Sequence, residues 1–247
     1  MFPLRDENPT QRTPVFTILF MVICVSVFLV QFFSGPENAE LMVNEYGFIP
    51  ASFFASMNMD VARQANPLIT PFTSMFLHGG WGHLLGNMVF LWVFGNNIED
   101  DLGHGRFVVF YFLAGLVAAM VQAASDIISP IPMIGASGAV SGILGAYMVL
   151  YPKARVETLV WLGVLITTMR VPALWFLGVW FAMQWFQVIT SSSEGAGVAF
   201  WAHIGGFVAG IVLLYMLKPR KSSIFTGSSG RNIGKPRSRS RRRGPWG

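Results

Sequence analysis

The chain has 247 residues, 53% of them hydrophobic and only 12% charged, with a formal net charge of +5. A soluble domain carries about 25% charged residues, so the composition excludes one, and recurring apolar runs of roughly 18 residues or more point to several membrane spans. A single cysteine, Cys24, excludes a disulfide framework and a thiolate metal site.

Residues 1–14 carry mixed charges and prolines and read as a short, unstructured cytoplasmic lead. Val15 to Phe33 is apolar throughout, about 28 Å as helix and enough to span. No small-residue cleavage pattern follows, so it reads as a retained first span. Ser34 to Asn66 is a polar and aromatic loop with Glu37, Glu40, Glu45 and Asp60. Its Phe48, Phe53, Phe54 and Met57 suit a partly helical piece at the membrane interface.

The second span is expected from Phe72 to Phe94 and contains His78, His83 and Asn87. A charged turn, Asn96 to Gly105, holds Glu99, Asp100, Asp101 and His104. The third span runs from Arg106 to Ala124, and Asp126 to Ile134 leads the chain back. Pro130 and Pro132 forbid a helix there, because proline fixes φ and lacks an N–H. Gly135 then permits a sharp bend into an apolar run ending at Pro152. This fourth helix has about 15 residues, or roughly 22 Å, against a hydrocarbon core of about 30 Å. It cannot reach both surfaces, so longer helices must enclose it and its N-terminus must lie beneath one face. Val156 to Arg170, with Glu157 and Arg170, reads as a loop or interfacial segment. Span five is Pro172 to Ile189, Thr190 to Gly197 is a small polar loop, and span six is Val198 to Leu217.

Ten of the 17 basic residues lie between Lys218 and Arg243. This tail, residues 218–247, suits a disordered cytoplasmic anchor for topology and anionic lipid better than a nucleic-acid arm. With the N-terminus inside, Arg5, Arg12, Arg106, Lys153, Arg155, Arg170 and the tail are inside, and only Arg63 is outside. That split supports six spans with both termini cytoplasmic, in a plasma (inner) membrane. The expected fold is therefore an all-α membrane bundle over residues 15–217, with a short central fourth helix.

Polar groups at membrane depth are costly and usually functional. Ser137 sits in the first turn of the short helix, where N–H groups lack intrahelical partners and negative charge is favoured. A hydroxyl beside free N–H donors is a nucleophile with part of an oxyanion hole attached. Small residues packed in a membrane helix are the plainer reading of this stretch taken alone. His203 lies about 8 Å deep in span six, at a level matching Ser137, with Gly206 and Gly210 on its face. Ser141 and Gly145 share the face of Ser137. Close backbone approach through these small residues is what a Ser–His hydrogen bond requires.

His83 and Asn87, spaced i, i+4, share a face of span two. They suit donors to a developing oxyanion, although both could instead bond loop backbone. His78 falls some 140° round the same helix and reads as structural. No His-Glu-x-x-His occurs, no span contains a pair of aspartates, and no cofactor or metal is expected.

Three short motifs occur in this arrangement: His83-Leu84-Leu85-Gly86-Asn87, Gly135-Ala136-Ser137-Gly138, and Ala202-His203-Ile204-Gly205-Gly206 followed by Gly210. Through them the chain resembles the rhomboid intramembrane serine proteases over about residues 13–217. The resemblance implies a cofactor-free six-helix protease whose partners are single-span or other transmembrane proteins, cut at or near their membrane segments. It implies Ser137 as nucleophile, His203 as general base, and His83 and Asn87 as oxyanion donors. Glu99 matches a structural glutamate of the family. Asp101 stands where some members carry arginine. Ser141 stands where some place an aromatic residue on the histidine, so another group must orient His203, the Ser141 hydroxyl being one candidate. The alternative is a catalytically silent rhomboid-like protein that binds membrane clients. Such relatives are expected to lack the serine or the histidine, and both are present here.

Overall fold

The computed structural model describes residues 2–56, 66–162, 165–190 and 200–218. The basic tail beyond Lys218, Met57, Asp60 and Arg63 (the one basic residue expected outside), and most of the loop before span six lie outside the described residues.

The fold is mostly helical, with one small sheet at one end. Helix α1 (Val15–Phe33) begins after Pro14, which offers no side-chain cap. The buried carboxylate of Glu99 takes that place, accepting from Phe16 N (2.9 Å), Thr17 N (2.8 Å) and Thr17 Oγ1 (2.7 Å). His104 Nδ1 donates at 2.6 Å to Glu99 Oε1, the oxygen that also accepts from Phe16 N. A negative group at a helix N-terminus satisfies orphan N–H donors and complements the macrodipole. Glu99 is structural in this sense: it ties the last turns of the helix that ends at Leu102 to the start of α1.

Helices α2 (Pro36–Tyr46) and α3 (Pro50–Ser56) fill the expected partly helical loop. Phe48 and Phe53 are buried and pack against Ala119 and Ala123. A short α4 (Thr70–Thr73) and a 3₁₀ turn, Ser74–Phe76, follow. The second span is not one helix from Phe72. Leu77 turns extended, with ψ 148°, and Gly79 and Gly80 carry the chain to α5 (Trp81–Phe90). The buried Gln31 carboxamide grips this break, accepting from His78 N at 3.1 Å and donating to His78 O at 3.4 Å. From Trp81 the helix continues unbroken through a π-helical segment, Leu91–Gly95, into α6 (Asn96–Leu102). The expected charged turn is therefore largely helical.

Helix α7 (His104–Ser125), α9 (Ala173–Thr190) and α10 (Phe200–Leu217) join α1 as the four helices among the described residues that are long and apolar enough to cross a membrane. Helix α8 (Ser137–Leu150) has 14 residues, and every residue from Ala139 to Tyr147 is buried. A helix apolar on all sides belongs inside a bundle, and α8 packs on α7, α9, α10 and the π-helical segment. Its crossing with α10 is close because it runs glycine on glycine. A Cβ on Gly206 would stand 2.1 Å from Gly138 O, and one on Gly210 1.9 Å from Gly142 O. The first turn of α10 is held by α7, where Gln122 Oε1 accepts from Ala202 N at 3.2 Å.

The sheet corrects two expectations. Strand β1 (Phe2–Asp6) occupies the lead that reads as unstructured. Strands β2 (Arg155–Leu162) and β3 (Leu165–Pro172) form an antiparallel hairpin where a loop is expected, in the order β1-β2-β3. The cause is a period-two pattern: Val156, Thr158 and Val160 are buried, while Arg155, Glu157 and Leu159, alternating with them, are not. Glu157 and Arg170, which look like interruptions of an apolar run, are cross-strand partners, with Arg5 opposite Glu157 on the other side. Arg5 Nε donates to Glu157 Oε2 at 2.6 Å.

This end of the bundle is coupled to α8. Tyr147 Oη donates to Asp6 Oδ2 at 2.5 Å, and Asn97 Nδ2 donates to the same oxygen at 2.9 Å. Burial pushes the Asp6 carboxyl above its usual range, with the hydrogen bond from Tyr147 opposing the shift. One turn on, Tyr151 Oη donates to Asp101. Asp101 thus bonds a tyrosine.

Candidate active site

At the end of α8 away from the sheet, the chain turns into the helix at Gly135, whose φ of 115° lies in a region that favours glycine. Gly135 N donates to Ser74 O at 2.9 Å, which fixes the turn against the 3₁₀ segment. Ala136 precedes the helix and supplies no side-chain cap. The first-turn N–H groups of α8, beginning at Ser137, are therefore free of intrahelical acceptors. Ser137 itself is half-buried.

His83 and Asn87 of α5 lie against this turn. A Cβ added to Gly135 would stand 2.6 Å from His83 Nε2 and 3.8 Å from Asn87 Nδ2. The other nitrogen, His83 Nδ1, accepts from Gly79 N at 3.4 Å. An accepting Nδ1 leaves the proton of a neutral imidazole on Nε2, so the nitrogen facing Gly135 is a donor. Asn87 Nδ2 donates to His83 O, one turn back on its own helix, at 2.9 Å. Asn87 is buried, and its amide faces the same turn.

His203 lies in the first turns of α10. The pairing of Gly206 with Gly138 and of Gly210 with Gly142 sets the helix register. His203, three residues before Gly206, therefore lies toward the end of the crossing at which α8 begins. Among the described residues no hydrogen bond joins the Ser137 hydroxyl to His203, and catalytic contacts of this kind commonly tighten only with substrate bound. His203 Nδ1 lies 2.8 Å from Gln184 Oε1 on α9. The indole of Trp180, also on α9, packs beside the imidazole with ring centroids 5.9 Å apart.

The four residues singled out from the sequence therefore converge on the start of α8, from α5, α8 and α10. Ser141 does not orient His203: its hydroxyl donates to Ser137 O at 2.7 Å, within its own helix. His78 is not on the helix of His83 at all. It sits in the break before α5, buried, with its ring centroid 5.2 Å from that of His83. Sequence reasoning passes over Gln184, Trp180 and Gln31. Gln184 carried a usable signal, since a carboxamide in the middle of an apolar span is itself a costly group.

A family profile described as the Rhomboid domain matches residues 65–220. The chain is 32% identical over 214 residues to the rhomboid protease GluP of Bacillus subtilis, covering 86% of this chain and 36% of that protein. It is 25% identical over 217 residues to the rhomboid protease GlpG of Salmonella choleraesuis, covering 87% of this chain and 67% of that one. A shorter match, 36% identity over 74 residues, covers 30% of this chain and 24% of RHOMBOID-like protein 5 of Arabidopsis thaliana. The chain thus spans little more than a third of the length of the Bacillus relative.

Proposed function

The chain belongs to the rhomboid family, and from that premise we propose that it is an intramembrane serine endopeptidase acting through Ser137 and His203 on transmembrane proteins. The observation that carries the reading is the meeting of three groups at one turn. These are the free N–H donors at the start of α8, the donor nitrogens of His83 and Asn87 beside Gly135, and the glycine-paired helix that bears His203.

In the reaction, Ser137 Oγ attacks the scissile carbonyl while His203 Nε2 takes its proton. The carbonyl oxygen gains negative charge and is held by the first-turn N–H groups, His83 Nε2 and Asn87 Nδ2. His203 then returns the proton to the departing amine, and water repeats the sequence on the acyl-enzyme. Every group required is a side chain or backbone donor of this chain.

Six spans follow if the unbroken helix from Trp81 to Leu102 and the enclosed α8 are counted with the four long helices. The sheet end gathers Arg5, Arg12, Arg106, Lys153, Arg155 and Arg170, which supports a cytoplasmic assignment for that end and, with it, a Ser137 near the opposite face.

The test is incubation of purified protein with a panel of single-span substrates, alongside fluorophosphonate labelling. Wild type should cleave and label, Ser137→Ala should do neither, and His203→Ala should lose both. Substrate capture without cleavage or labelling by wild type would support the silent, client-binding reading instead.

A further inference from the structure

In a serine–histidine dyad, the histidine must keep the lone pair on the nitrogen that faces the serine. Among the described residues no carboxylate bonds His203 to enforce that. In the structure the group on the far nitrogen of His203 is a neutral carboxamide.

Gln184 lies on α9 and is 6% exposed. Its nitrogen donates to Trp180 O, one turn back, at 3.4 Å. That bond decides which way the carboxamide faces: nitrogen to its own helix, oxygen to the ring. Gln184 Oε1 can only accept, so the 2.8 Å contact requires His203 Nδ1 to carry the proton. A neutral imidazole with Nδ1–H has its lone pair on Nε2. Trp180 lies i−4 from Gln184, on the same face of α9, and limits rotation of the ring from the side.

We propose that Gln184 is a positioning residue that holds His203 in the Nδ1–H tautomer and aims Nε2 at Ser137. The role rests on the dyad reading above. It also explains how the site dispenses with an aromatic at position 141: the ring contact comes from Trp180, on a different helix, next to the carboxamide.

The measurement is ¹⁵N-histidine NMR of the full chain in detergent micelles, which is tractable because the chain has 4 histidines. The His203 signals are identified by their loss in His203→Ala. Wild type should show His203 as the Nδ1–H tautomer at neutral pH. Gln184→Leu should lose that preference and lower kcat about tenfold or more, with KM changed little, since acid–base positioning acts on the transition state. Gln184→Glu should restore the tautomer and most of kcat. It should also move the acid limb of the pH–rate profile to higher pH, because a carboxylate stabilises the imidazolium. A packing role alone would lower melting temperature without moving the tautomer or the acid limb. If Gln184→Leu does not fold, Gln184→Asn, one methylene shorter, serves in its place. An Nε2–H tautomer in wild type, or an unchanged tautomer and kcat in the variant, overturns the proposal. The NMR readout needs no proteolysis. Failure of the dyad itself would show separately, as fluorophosphonate labelling that survives Ser137→Ala or His203→Ala.

Discussion

His83 Nε2 stands so close to Gly135 that one added carbon on the glycine would come within 2.6 Å of it. Gly135 therefore serves twice, as the positive-φ hinge into α8 and as the gap that lets the imidazole reach the turn bearing Ser137. Gly135→Ala should lower kcat by about 10²-fold, the scale expected when reacting groups are displaced by about an ångström. Gly86→Ala, on the helix of His83 but with nothing within 4 Å of the added carbon, should cleave normally. Equal activities in steady-state assays of the two folded variants would contradict this.

Asn87 tests the oxyanion assignment. In the resting state its amide bonds its own helix at His83 O, so its contribution to substrate must arise as charge develops. Asn87→Ala should reduce kcat by about 10²-fold with KM nearly unchanged. A folded variant with wild-type kcat would leave His83 as the sole side-chain donor on α5.

The α8–α10 crossing has no room for a side chain at its glycines. Gly210→Ala would set a carbon 1.9 Å from Gly142 O, backbone that cannot rotate away. Overpacking of this kind costs about 1–3 kcal/mol, occasionally more. Melting in detergent should fall, and activity with it as His203 shifts relative to Ser137. Gly178→Ala on α9 faces open space and should leave both unchanged.

Glu99 should be a stability residue at a distance from the chemistry. Glu99→Ala strands the N–H groups of Phe16 and Thr17 and the imidazole of His104. Loss of hydrogen bonds to a buried charge costs about 1.5–3 kcal/mol each, not additively. Thermal melts should show a large drop, with Glu99→Gln intermediate because it keeps one acceptor oxygen. Any protein that remains folded should retain kcat.

Asp6 makes stability pH-dependent with a defined sign. Burial raises its carboxyl pKa in the folded state, so the native chain binds this proton more tightly than the unfolded chain. Its contribution is greatest below the ordinary carboxylate range and is lost as pH rises through the raised value. Asp6→Asn keeps an acceptor for Tyr147 but removes the charge. The variant should melt higher than wild type above that range and lose the advantage below it, as followed by melting temperature against pH.

Much of this molecule is legible in local pattern. The long apolar stretches mark α1, α7, α9 and α10, because a helix of fixed rise must present enough apolar length to cross lipid. Pro132, five residues before α8, and Pro152, two residues after it, bracket the helix, since proline breaks a helix by its own covalent structure. Ser137, His83, Asn87 and His203 stand out as polar groups in apolar surroundings, where each must have a reason to be buried.

What the linear pattern could not supply is anything that depends on which elements meet. Val156 to Arg170 reads as a loop or interfacial segment until β1 arrives from the far end of the sequence to complete a sheet. Strand pairing is a long-range choice that a local window cannot contain. The break at Leu77 is held by Gln31 from another helix, and Glu99 caps a helix more than eighty residues earlier. Sequence alone determined that a serine at a helix start and a histidine in an apolar span would be available. Only the packing of α9 against α10 decided that Gln184 and Trp180 surround that histidine, because the hydrogen bond and ring contact that set its tautomer exist only once two helices lie side by side.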